Sequence, residues 1–413
     1  MSTTKNQIFT LMTGTSLAQL LPILAMPLLS RIYSPEDFGR YAFYLSISAI
    51  ISAVSCARYE HAIFLPKEKR HAINVVYCCL FILTIISLSS FLIVVLLQLT
   101  VPQIFNKFSL DKVVYFIPIT VFLTGLNQVL INWLNRNNEY RKISKVRVLQ
   151  SVSVIGSSIA GGYLSAGPQG LIAGNIVGLI FSCFLMARFS LSKDEEILLG
   201  SYSKNRVIVT AKRYKNFPKF DLLATFFNIS SHQLPHTLLN IFFGPKVAGG
   251  YYMAQKVFGL PINLISGSIQ EVLRQKLSYT FAIKGDSRSL FLTTLKWLAI
   301  GAAVPTLLIY LFAIDIFVLV FGSEWQSAGV FVQVLLPAFY FRFICFPLSY
   351  MFYIAEKQRV NLFGQGVFFS TIILSFIIGK NFDVIYTLYL VMTFNALFYL
   401  SYLFLSYKFT SKN

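Results

Sequence analysis

Residues 217–274 read FPKFDLLATFFNISSHQLPHTLLNIFFGPKVAGGYYMAQKVFGLPINLISGSIQEVLR. Two apolar stretches flank the turn Phe243-Gly244-Pro245-Lys246, which predicts two hydrophobic helices joined by a tight connection. The first carries Asn228, His232, His236 and Asn240 at steps of four, so a ladder of polar side chains runs along one side of an apolar helix. The second carries Lys256 far from either end. A central lysine costs roughly 2.5 to 3.5 kcal/mol in a bilayer unless it faces protein or a water-filled cavity. The stretch therefore predicts a polar cavity inside a membrane bundle.

The whole chain agrees in composition. With 56% hydrophobic and 12% charged residues over 413 positions, and a mean hydropathy of +0.66, it reads as an all-α polytopic membrane protein. Apolar runs of spanning length, about 20 residues each, occur at 7–29, 38–57, 72–98, 113–134, 147–165, 169–188, 219–243, 248–273, 290–314, 327–354, 361–379 and 384–406. That is about twelve transmembrane helices. The formal charge of +19 follows from basic loops on one side of the membrane. With a cytoplasmic N-terminus, roughly 26 Lys and Arg fall in inside loops and about 6 outside, which puts both termini in the cytoplasm and calls for anionic membrane lipids, not nucleic acid, as partners. The five cysteines lie in or beside apolar runs at no metal-ligand spacing. The N-terminus lacks the pattern of a cleavable signal, so the first helix is expected to stay.

The longest polar segment separates a six-helix lobe at 1–189 from another at 219–413. This basic cytoplasmic linker, 190–218, reads as a solvated connector resting on anionic headgroups. The two lobes match at one place: Leu28-Leu29, Pro35, Gly39 and Tyr41 recur as Leu238-Leu239, Pro245, Gly249 and Tyr251 at a constant offset of 210. Such a match is expected of parallel repeats.

Catalysis finds little support. The outside loops are short, their acids form no pair of suggestive spacing, and neither a phosphate-binding glycine loop nor a zinc-protease motif is present, so no enzyme is expected. His232 and His236 could in principle hold a metal, but no acid or thiol accompanies them and Pro235 falls between; no metal and no cofactor is expected. The informative groups are cations. Lys256 lies about 12 Å below the outer end of its helix and Arg342 near the middle of another, with no acid at matching depth on either helix. Either they make internal contacts that hold the bundle, or they form a positive lining for an anionic cargo. Polar faces with Gln128, Asn132, Asn228, His232 and His236 favour the lining, although each could also serve interhelical hydrogen bonding. Arg31 and Arg40 flank the outer mouth. Glu60, Asp221 and Glu271 sit at cytoplasmic helix ends, where inner-gate ion pairs with Arg58 or Arg274 are expected. A proton-coupled cycle would have to use His232 or His236, since no acid lies at mid-depth.

Arg31-Ile-Tyr-Ser-Pro-Glu-Asp-Phe-Gly-Arg-Tyr41, then Arg58-Tyr-Glu-His-Ala-Ile-Phe-Leu-Pro66, then Pro218 to Asp221, and Phe243-Gly-Pro245 with Gly249, Tyr251 and Pro261, resemble the polysaccharide-biosynthesis flippases. These belong to the multidrug, oligosaccharidyl-lipid and polysaccharide exporter superfamily. The resemblance implies a multi-pass protein of the bacterial inner membrane that moves an undecaprenyl-diphosphate-linked oligosaccharide repeat unit from the cytoplasmic to the periplasmic leaflet, feeding O-antigen, capsule or a related polymer. It also implies possible partnership with a polysaccharide polymerase and a chain-length regulator, and leaves ion-gradient coupling open. The cationic lining would receive the diphosphate while the two lobes rock to alternate access. A drug or cation antiporter of the same superfamily is the alternative, but it should bury carboxylates. A membrane polymerase should carry a large periplasmic loop.

Overall fold

A computed structural model of the chain describes residues 2–100, 113–200 and 202–411, with side chains from residue 13 onward except at 113, 193–200, 220 and 284. It is built of helices. In order they are α1 (Ser2–Ile32), α2 (Pro35–Val54), α3 (Lys69–Thr100), α4 (Ile117–Arg136), α5 (Tyr140–Tyr163), α6 (Pro168–Gly200), the short α7 (Lys204–Arg213), α8 (Leu222–Phe243), α9 (Pro245–Ala254), α10 (Leu260–Lys284), α11 (Arg288–Phe321), α12 (Gln326–Leu348), the single turn α13 (Met351–Ile354), α14 (Gln358–Gly379) and α15 (Val384–Lys408). Each of the twelve apolar runs falls on this helical framework, α9 and α10 together making one span. Among the described residues, eight helices are long and apolar enough by themselves to cross a membrane. Those that miss the mark are α2, α5, α8 and the α9–α10 span, which carry the serines, cations, histidines and amides that dilute their hydropathy. The protein is a multi-pass membrane protein. Side chains such as Leu24, Phe81, Leu99, Trp297, Ile300 and Leu319 are left exposed on helices whose backbone is satisfied internally, as lipid contact requires.

The chain divides into two compact units, Met1–Gln233 and Leu234–Asn413. Within the polar segment 190–218, α7 packs on α3 through Val207 and Ala211 and lies in the first unit.

In the first unit α5 packs on α6 and on α1, and α4 packs on α3 and α6. The α5–α6 seam is built of small residues: a Cβ at Gly161 would sit 2.7 Å from the Gly170 Cα, and one at Gly174 would strike Ser158. A second core, with Ile63, Ile73, Val76, Cys79, Leu83, Val129 and Trp133, joins α3, α4 and the turn after α2. In the second unit α12 is central and packs on α9, α10, α11 and α15.

The repeat seen in the sequence holds at the helix starts. Pro35 and Pro245 both occupy the first helical position, where the missing N–H costs nothing. The caps differ. Ser34 and Asp37 form a reciprocal capping box, whereas Gly244 takes φ of +89°, a conformation that glycine adopts without strain.

Candidate functional site

The second unit gathers three of the predicted residues around a tyrosine pair. Tyr251 and Tyr252 are buried on α9. The His236 ring, from α8, lies edge-on to both, with centroids 4.9 and 5.9 Å away, and its Nδ1 is buried with no hydrogen-bond partner. Lys256 Nζ stands 5.5 Å over the Tyr252 ring. Arg342, from α12, is within electrostatic reach of Tyr251 and of Tyr399 on α15. Gln255 Nε2 donates to the Tyr251 hydroxyl at 3.0 Å. Among the described residues neither Lys256 nor Arg342 has a carboxylate partner. A cation over a tyrosine face gains about 0.5 to 2 kcal/mol. That is less than the cost of a lysine at mid-membrane, so the ammonium retains unmet demand for an anion.

A local break in the helix sets where Lys256 points. Residues Gln255–Gly259 form a π turn between α9 and α10. Pro261 follows and cannot donate to the carbonyl of Val257, so the turn before it widens. The isolated Pro261 is a sequence signal for this break; Tyr251 stood out in the sequence as a repeat position, but nothing there showed that it and Tyr252 collect the cations.

The first unit brings together a charged elbow. After α2 ends at Val54, Ala57 and Arg58 take φ of 47° and 65°. The left-handed region costs a non-glycine residue roughly 1–2 kcal/mol. A 3-10 turn, Tyr59–Phe64, follows. Arg58 Nε donates to Asp221 Oδ2 at 2.8 Å, and its Nη1 lies 3.5 Å from Glu60 Oε1. Asp221 closes a second π turn, Phe217–Asp221, which contains Pro218. Glu60 is almost wholly buried, and its Oε2 has no partner; His61 Nε2, 3.9 Å from Oε1, has no hydrogen-bond partner either. Burial raises the Glu60 carboxyl above its usual range against the pull of Arg58, and burial lowers the His61 imidazole. Arg136, at the end of α4, donates to the carbonyls of Ile63 (2.8 Å), Pro66 and Lys67 (3.3 Å), pinning the elbow.

The remaining residues are not gathered in this way. Gln128 and Asn132 are half-buried on α4, and Asn132 Nδ2 has no partner, while neighbouring Asn127 donates to Ser182 at 2.6 Å. Asn228 and His232 fall in the first unit and His236 in the second, so the ladder along α8 is divided between them. Arg40 is half-buried with an unpartnered Nε, and Arg31 is exposed. Glu271 and Arg274 are both exposed on α10, and no ion pair joins them; Arg274 stacks 5.6 Å over Tyr350 instead. Of the two arginines considered, Arg58 is the one that Asp221 and Glu60 pair with.

Residues 28–329 match the family described as polysaccharide biosynthesis protein. The chain belongs to this family. The matched segment includes the elbow and Lys256 and stops short of Arg342. No curated protein matches the chain by sequence. Solved structures match it across nearly its whole length. An inward-facing multidrug resistance MATE family transporter of the MOP superfamily is 12% identical, with 96% of this chain and 93% of that one covered and a TM-score of 0.70. The lipid II flippase MurJ in an inward closed conformation is 14% identical, with 96% and 87% covered and a TM-score of 0.70. A mutant of the Vibrio cholerae MATE transporter VcmN is 12% identical, with 98% and 97% covered and a TM-score of 0.52. At these identities the likeness is one of fold: this polysaccharide biosynthesis family member has the architecture of MOP superfamily transporters and flippases.

Proposed function

We propose that this protein is a flippase that carries an undecaprenyl-diphosphate-linked oligosaccharide repeat unit from the cytoplasmic to the periplasmic leaflet of the bacterial inner membrane by alternating access. The carrying observation is the pair Lys256 and Arg342, held at a buried tyrosine pair with no carboxylate partner among the described residues. A diphosphate meets the demand of two such cations, whereas a cationic drug would be repelled by them. Gln128, Asn132, Asn228, His232 and His236 supply polar groups for sugar hydroxyls, and the polyprenyl chain stays in lipid. Family membership supports a role in polysaccharide assembly, and the fold shared with transporters supports movement across the bilayer. The reading requires no cofactor. Any coupling to a proton gradient would run through the histidines of α8, and the exported unit would pass to a polymerase acting with a chain-length regulator.

The test is a strain lacking the protein. Surface polymer is expected to be lost while single lipid-linked units accumulate on the cytoplasmic face. Normal polymer with altered drug sensitivity would assign the protein to antiport, and units that cross but remain unpolymerised would assign it to polymerisation.

A further inference from the structure

Helix α7 is the part of the molecule that the transport reading leaves unused. From Tyr202 to Lys219 the chain carries six cations, Lys204, Arg206, Lys212, Arg213, Lys215 and Lys219, and no carboxylate. Its inner face is fixed: Val207 and Ala211 pack on the core of the first unit, Tyr202 stacks edge-on against Tyr77 at 5.0 Å, and the Tyr59 hydroxyl donates to the Ala211 carbonyl at 2.9 Å. Its outer face is not simply polar. Ile208 and Val209 are 45% and 64% exposed; at about 100° per residue Val209 points opposite to Val207 and Ala211, and Ile208 points to the side. Arg206, Lys212 and Arg213, all exposed, lie on the same outward arc as Val209. Two β-branched apolar side chains framed by cations form a face that water alone does not satisfy. It is complementary to the boundary of an anionic bilayer, where apolar groups enter the acyl margin and cations meet phosphates.

We propose that the outer face of α7 binds the anionic headgroup surface of the membrane, with Ile208 and Val209 entering it and Arg206, Lys212 and Arg213 holding its phosphates. Because Tyr59 lies between Arg58 and Glu60 and bonds to the carbonyl of Ala211, bound lipid also steadies the charged elbow. The inference does not depend on what cargo the protein carries.

The experiment uses the full-length protein in lipid nanodiscs, with a polarity-sensitive dye on Val209→Cys after the native cysteines, all buried, are shown not to label. In discs of phosphatidylcholine mixed with phosphatidylglycerol the emission is expected to shift to the blue relative to phosphatidylcholine alone, and added salt should reverse the shift. Replacing Arg206, Lys212 and Arg213 by Gln, which leaves Val207 and Ala211 in place, should weaken lipid engagement by roughly fivefold per charge removed. A second readout, hydrogen exchange at the amides of α7, should slow in the anionic discs and not in the substituted protein. Identical emission and exchange in the two disc types would overturn the proposal. So would a blue shift that appears only on adding a soluble acidic protein, which would make this face a protein-docking surface.

Discussion

Arg58 and Lys256 carry the same charge into opposite surroundings. Arg58 is matched by Asp221 and Glu60, whereas Lys256 stands over the face of Tyr252 with no carboxylate partner among the described residues. Removing Lys256 or Arg342 should therefore act on cargo and not on folding. Lys256→Ala and Arg342→Ala, at matched expression, are each expected to weaken cargo binding by about 2 kcal/mol or more, roughly thirtyfold, read as loss of surface polysaccharide. Unchanged polymer in both variants would remove the cationic lining from the mechanism. At Glu60 the sign differs. Its folded-state carboxyl is raised by burial, so between the ordinary carboxylate range and the raised value the folded protein binds more protons than the unfolded chain. Stability from this group is then full below the ordinary carboxylate range and is lost as pH rises through the raised value. Melting temperature in detergent should show that decline for the native protein. Glu60→Gln should flatten it, and an unchanged pH slope would mean that Arg58 holds the carboxylate ionised. His61, lowered by burial, contributes the opposite slope just below its ordinary range, so the comparison is made between proteins that share it.

At the scale of elements, the helices were legible because their apolar runs are long, and the start of α2 was legible because Ser34, Pro35 and Asp37 are capping chemistry in plain order. The two π turns were marked only by their prolines, Pro218 and Pro261, because an extra residue in one turn leaves hydrophobic periodicity almost unchanged over so short a span. The partner of Arg58 was anticipated among the helix-end acids. The stacking of Arg274 over Tyr350 was not, since one exposed turn of helix says nothing about which rotamers are held. Arg136 shows the limit most clearly: a charge that helps set topology also binds three carbonyls about 70 residues away in the chain. Arg136→Gln is expected to destabilise the protein by about 1–3 kcal/mol, measured as a lower melting temperature, by leaving those acceptors unmet. The α5–α6 seam gives a second prediction at this scale. Gly161→Val must push against backbone and not against a flexible side chain, so a similar loss of about 1–3 kcal/mol is expected. A melting temperature equal to that of the native protein would show that the helices separate freely.

For the molecule as a whole, orientation follows from the distribution of basic residues. A cytoplasm-dependent fluorescent protein fused after Asn413 should fluoresce, and alkaline phosphatase fused after Lys380 should be active; the reverse pattern would invert the topology. Two copies of a helix start alike at Pro35 and Pro245, but α2 runs on as regular helix while its counterpart takes one extra residue into the turn at Gln255–Gly259. Past that turn the later copy is rotated by about 100° against the earlier one. At the start of that turn the offset of 210 still pairs Lys256 with position 46, where the first copy has a serine; beyond the turn the same offset no longer pairs equivalent helix faces. Two copies that start on the same proline thus part company within a single turn, and it is in that turn that the later copy carries its lysine.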